Sequence, residues 1–161
     1  MLNDPLSVAH RWFEDVWNQR RVDLIPELVT PDALFYSEEG LMVGPDEILR
    51  RQFAPFVSAF PDLWLRIEDT LVERDQVVIR WEASGTHTGP GLGFPPTFRQ
   101  VEVTGMSWLR IVDGRITQSW QQSGISRTFY ALQASSQSPL PPLNSTTELP
   151  ISGDGPLPLP Q

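Results

Sequence analysis

The hydrophobic period of this chain switches from helical to extended near Leu63, and that switch limits the folds open to it. Before it, Asp4-Pro5 supplies an N-cap and a first-turn proline, and Leu6, Ala9, Phe13, Val16 and Trp17 share one helical face. Residues 22–29 predict a second short helix ended by Thr30-Pro31, and residues 33–36 a short strand before the Glu38-Glu39-Gly40 turn. Gly44-Pro45 opens a third helix towards Ala59, kinked or interrupted at Pro55. Beyond Leu63, residues 63–73, 77–87, 101–112 and 115–122 alternate as strands. Arg74-Asp75 and Asp113-Gly114 mark hairpin turns between them. Helices first and hairpin-linked strands afterwards indicate an α+β domain with a bent antiparallel sheet.

The domain covers residues 1–134. From Ser135 to Gln161 the chain has seven of its sixteen prolines, no aromatic and no basic residue, which predicts a disordered, polyproline-type tail. Such a tail is either inert or a ligand for a proline-recognition module. The 161 residues carry a formal charge of −8. All twelve basic residues are arginine and cysteine is absent, which excludes Schiff-base, P-loop, thiolate and Cys-metal chemistry. The acidic balance argues against nucleic acid as a partner. No apolar run is long enough for a membrane span and the N-terminus lacks a secretory pattern, so a soluble cytoplasmic protein is expected.

Chemistry must then come from carboxylates, amides, hydroxyls, rings and two histidines. Pleating of the second strand places His87 on the same side as Ile79 and Trp81. An imidazole there is either an acid–base group or a structural histidine tied at a strand end. In the last strand Ile116, Gln118, Trp120 and Gln122 alternate to one side, which suggests a ligand-lined face. In the third strand Glu102, Thr104, Met106, Trp108 and Arg110 form one set. Either that set or Val101, Val103, Leu109 and Ile111 faces the helices, and a bulge near Gly105 would exchange them. Glu102 is a carboxylate candidate if its set is inward and a surface residue otherwise. His10 lies at the rim of the first helix's apolar stripe, near Phe13 and Trp17. The two histidines have no metal-ligand spacing, so no metal is expected. Gly89-Pro90-Gly91-Leu92-Gly93 reads as a lid-like loop between strands.

Several segments recur in one order: Trp17-Asn18, Gly44, Phe60-Pro61-Asp62-Leu63, Gly85-Thr86-His87-Thr88-Gly89, Pro95-Pro96-Thr97, and Asp113-Gly114-Arg115-Ile116 before Trp120. Over residues 5–133 the chain resembles the SnoaL-like polyketide cyclase (ester cyclase) family of the nuclear-transport-factor-2-like superfamily. The resemblance implies a cone-shaped barrel, three helices closing a strongly curved sheet around a deep pocket, and a homodimer. It also implies cofactor-free, metal-free ring closure of a polyketide ester. Fold relatives include dehydratases, isomerases and epoxide hydrolases. In the cyclases an acid–base aspartate lies four residues after the tryptophan that matches Trp120, and here that position is Gly124. Phe98 departs as well, where the family usually has glycine.

Two functional expectations follow, with a third beside them. The first is a cofactor-independent enzyme for a small hydrophobic, polyketide-like or terpenoid-like molecule, working by proton transfer such as cyclisation or isomerisation. His87 would be its acid or base, Gln118 and Gln122 would orient a carbonyl, and Trp81 and Trp120 would exclude water. Trp108, Glu102, His10, Phe13 and Trp17 complete the candidate pocket. The second is a binding protein of the same fold, without catalysis because of Gly124. The third is an interaction module using the tail.

Overall fold

In a computed structural model of the chain, residues 3–137 are described; most of the proline-rich tail, residues 138–161, lies outside them. Helix α1 (Pro5–Arg11) starts as its sequence requires, with Asp4 accepting the Ser7 N–H at 3.0 Å and the Ser7 hydroxyl at 2.6 Å. Those two bonds, the hydroxyl first, hold the Asp4 carboxyl at a pKa of about 2. The buried residues are Val8, Ala9, Trp12, Phe13, Val16 and Trp17, a doublet every four residues, whereas Leu6 is exposed. An α-helix rotates such a repeat by about 40° per step and would wind it off the core. The chain instead opens into a π-helical segment, Trp12–Asn18, whose wider turn keeps the rings on one side.

The expected second helix is shorter than its sequence suggests: a 3₁₀ turn (Val22–Leu24), then α2 (Ile25–Leu28). Thr30-Pro31 does not end a helix but lies inside strand β1 (Val29–Ser37), which pairs with β2 (Gly40–Val43). The third helix is interrupted, as Pro55 implies. It runs as α3 (Gly44–Ile48), a second π-helical segment (Leu49–Phe53) and α4 (Ala54–Ala59). Proline cannot donate to the carbonyl four residues back, and the ladder widens just ahead of it. Ile48, Gln52 and Phe56, again four apart, all end up buried.

Strands β3 (Trp64–Glu73), β4 (Gln76–Thr86), β5 (Gln100–Val112) and β6 (Arg115–Ser123) form the long hairpins expected. At the β5–β6 turn Asp113 and Gly114 both take positive φ, 50° and 73°. The curved sheet has the order β2-β1-β6-β5-β4-β3 and is mixed rather than purely antiparallel, because β1 runs parallel to β6. Its six strands do not close by hydrogen bonds between β2 and β3. A final helix unforeseen from the sequence, α5 (Ile125–Gln137), follows β6.

Two polar side chains fasten the layers. The Asn18 amide donates to the Leu65 carbonyl and accepts the Leu65 N–H, both at 2.8 Å, so the end of the first π-helical segment is bonded to β3 like a strand edge. Glu38 accepts the Ser123 N–H at 2.9 Å and the Ser126 hydroxyl at 2.7 Å, which ties the β1–β2 turn to the start of α5. Those bonds, the Ser126 hydroxyl first, hold the Glu38 carboxyl below its ordinary range. Among the described residues no helix is long and apolar enough to cross a membrane.

Candidate functional site

The helices and the concave face of the sheet line a partly open cavity of about 70 Å³. Trp12, Phe13 and Trp17 wall it from the first helix and its π-helical extension, and Gln52, Phe56 and Phe60 from the interrupted third helix. The sheet contributes Trp81 and Ser84 from β4, Val103 and Ser107 from β5, and Ser119 and Gln121 from β6. Ile125, Thr128 and Phe129 of α5 close the remaining side. Phe129 packs on Phe56 with ring centroids 5.4 Å apart, and Trp17 packs on Phe53 at 5.0 Å. Both π-helical segments therefore deliver side chains to this space.

The polar groups of the cavity are all uncharged. Gln52 is 5% exposed, and its Nε2 donates to Gln121 Oε1 at 3.2 Å. The Trp81 indole N–H donates to Ser107 Oγ at 3.0 Å. Among the described residues that line the cavity there is no aspartate, glutamate, histidine, arginine or tyrosine. A full charge placed here would be desolvated without a counter-charge, whereas a neutral molecule with a few oxygen atoms meets amides and hydroxyls. The aromatic walls favour flat, unsaturated rings.

His87 is fully buried, and it lies just outside this lining. Its ring packs between Phe60, at 5.5 Å, and Phe94, at 5.3 Å. The Thr97 N–H donates to Nδ1 at 3.2 Å and the Thr97 hydroxyl lies 3.0 Å from the same nitrogen. Nδ1 thus acts as acceptor, and the neutral ring carries its proton on Nε2, which has no partner among the described residues. Burial pushes the His87 pKa below the ordinary imidazole value. The backbone repeats the link, with His87 N–H donating to Arg99 and Phe98 N–H to His87. The glycine-rich loop is anchored too, since Gly89 N–H donates to the Ala59 carbonyl at 3.1 Å.

Of the residues singled out in the sequence, the cavity brings together Phe13, Trp17 and Trp81. His10 is exposed on α1. Glu102 and Trp108 are on the outer face of β5, whose inward set is Val103, Ser107, Leu109 and Ile111, with no exchange at Gly105. Gln118, Trp120 and Gln122 are outside the cavity lining, and Trp120 and Gln122 are exposed. The cause is a bulge: Arg110 pairs with Gln118 and the next residue, Ile111, with Ile116, so β6 carries Thr117 as an extra residue. After that slip Ser119 and Gln121 face inward in place of their neighbours. Gln52 had a signal, a polar residue on the apolar four-residue stripe of Ile48 and Phe56. Ser107 had one as well, the alternation it shares with Val103 and Leu109, whereas Gln121 and Ser119 had none without the bulge.

The profile of SnoaL-like polyketide cyclases matches residues 7–127. A search of curated proteins finds no match. Among solved structures, a protein from Jannaschia sp. CCS1 assigned as a SnoaL-like polyketide cyclase shares 25% identity at a TM-score of 0.71, over 81% of this chain and 92% of its own. IdmH from Streptomyces antibioticus, assigned as a polyketide cyclase, shares 26% at 0.68, over 81% and 99%. AclR from Streptomyces galilaeus, assigned as a hydroxylase, shares 25% at 0.69, over 83% and 87%.

Proposed function

The chain belongs to the SnoaL-like polyketide cyclase family, and from that premise we propose that it binds a neutral, polyketide-like molecule in its aromatic cavity and promotes cofactor-independent ring closure. The carrying observation is the Gln52–Gln121 amide pair set among rings with no charged side chain beside it. Ring closure by attack of carbon on a carbonyl moves negative charge onto oxygen, and fixed amide donors stabilise that charge in a dry site. Holding a flexible chain folded with its reacting ends in contact supplies a further part of the acceleration. Where the reaction needs proton transfer, His87 is the proposed group, with Nε2–H as its free position and its ring packed on Phe60 of the cavity wall.

The test begins with protein purified from its own host, extracted and analysed by mass spectrometry for a retained small molecule. The linear precursor of that molecule is then returned to the protein and ring-closed product is measured. Gln52→Leu and Gln121→Leu are each expected to lower kcat about 100-fold with the fold retained. Full turnover in both variants would refute the amide role.

Gly124 favours a second reading, binding without turnover. A Cβ at Gly124 would meet nothing within 4 Å, so Gly124→Asp restores the family's carboxylate without a steric clash. Gain of cyclisation in that variant, from an inactive parent, would identify this protein as a binder that lacks only the acid. No gain, with ligand bound equally by both, leaves the amide mechanism as the better account.

The outer sheet face bears on assembly. Tyr36 of β1 stacks on Trp120 of β6 at 5.9 Å, and Trp120 meets Trp108 of β5 at 5.8 Å, all three more than a third exposed. Three exposed rings in contact on one sheet face suit a second copy of the chain. Sedimentation should give a dimer that Trp120→Glu converts to monomer; a monomeric parent would refute the proposal.

A further inference from the structure

We propose that Ser107 is the hydroxyl that recognises a carbonyl oxygen of the ligand, and that Trp81 sets its polarity. This rests on the reading that the cavity binds a neutral molecule. Ser107 is 5% exposed, lines the cavity and stands directly opposite Gln121 in the β5–β6 register. An indole N–H can only donate, so in the 3.0 Å bond from Trp81 the Ser107 oxygen must accept. The hydroxyl proton is left without an acceptor among the described residues, and the side chain faces the cavity. A bond accepted at oxygen also polarises the O–H and makes it a stronger donor.

The neighbours reinforce that polarity. Gln121 Oε1 already accepts from the Gln52 amide, and the Nε2–H groups of Gln121 remain free to donate to a ligand. Cross-strand partners stand about 5 Å apart at Cβ, close enough for both donors to reach one oxygen. Ser119, two residues along the same inner face, is 3% exposed and its hydroxyl has no partner among the described residues. The sheet side of the cavity therefore offers two donors on facing residues of one strand pair, Ser107 and Gln121, and a carbonyl oxygen is the group that complements them.

The experiment uses the full-length protein and two bicyclic probes of nearly equal shape, 1-tetralone and tetralin, with binding read by quenching of tryptophan emission. The parent should prefer the ketone. Ser107→Ala should weaken tetralone about three- to ten-fold, the range of one neutral hydrogen bond, and leave tetralin unchanged. The carbonyl stretching band of bound tetralone should rise in frequency in the same variant. Because Ser107→Ala orphans the Trp81 N–H, the double variant Trp81→Phe/Ser107→Ala provides a version with no unpaired donor and should show the same loss of ketone preference. Equal weakening of both probes, or an unchanged carbonyl band, would overturn the assignment of Ser107 while leaving the binding function standing. If the parent binds neither probe, the small-molecule reading fails and the Ser107 proposal falls with it.

Discussion

Gly105→Ala is expected to destabilise the protein by about 3 kcal/mol, through overpacking and the loss of one buried hydrogen bond. Gly105 pairs with Trp81 across β4 and β5, and the indole fills the space a side chain there would take. A Cβ there would stand 2.4 Å from Trp81 Cζ2 and 2.7 Å from Cη2. The ring is 4% exposed and its N–H is bonded to Ser107, so it cannot swing away without breaking that bond and entering the cavity. Urea unfolding measures the effect, and a double-mutant cycle isolates it. In a Trp81→Ala background Gly105→Ala should cost little, because the colliding ring is gone. An equal cost in both backgrounds would place the strain elsewhere.

His87→Ala is expected to cost about 2–4 kcal/mol, the range for truncating a large buried side chain. The loss combines a void between Phe60 and Phe94 with an orphaned Thr97 N–H. A second signature separates the ring from its volume. The folded pKa lies below the unfolded value of 6.5, so below that pH the unfolded chain binds the extra proton first. Stability from His87 is therefore complete above about pH 6.5 and falls as the solution is acidified through the folded pKa. His87→Asn keeps an acceptor near the Nδ1 position and cannot titrate. It should remove the slope that sets in as the pH falls below about 6.5 while retaining the Thr97 bond. The same acid slope in His87→Asn would assign the titration to another group.

Much of the fold is legible in the sequence because its signals are local. The change of period at Leu63, the Asp4 cap, the Asp113-Gly114 turn and the inward side of β4 each depend on a few neighbouring residues. The cavity was harder to read. Its polar floor depends on Thr117, one extra residue whose only sign is the partner it fails to match on β5. Strict alternation carried past that point selects Gln118, Trp120 and Gln122, and the true inward pair is Ser119 and Gln121. The helical side hid its register differently. Doublets every four residues look like an imperfect α-helical stripe until the π-helical segments correct the drift. The parallel pairing of β1 with β6 joins segments more than eighty residues apart, and no local pattern announces it.

The way α5 closes the cavity bears on time rather than affinity. A space of about 70 Å³ holds a few waters, whereas pockets for drug-sized molecules commonly span roughly 300–1,000 Å³. The wall with least holding it is α5, where Leu132 is the buried residue, Phe129 leans on Phe56, and Glu38 grips the first turn. A bicyclic guest exceeds that space, so it is expected to enter as that wall parts. Association rates should accordingly level off at high guest concentration, at a ceiling equal to the opening rate of the helix. Glu38→Ala should raise that ceiling, and stopped-flow traces rising linearly without limit would show that guests pass by another route.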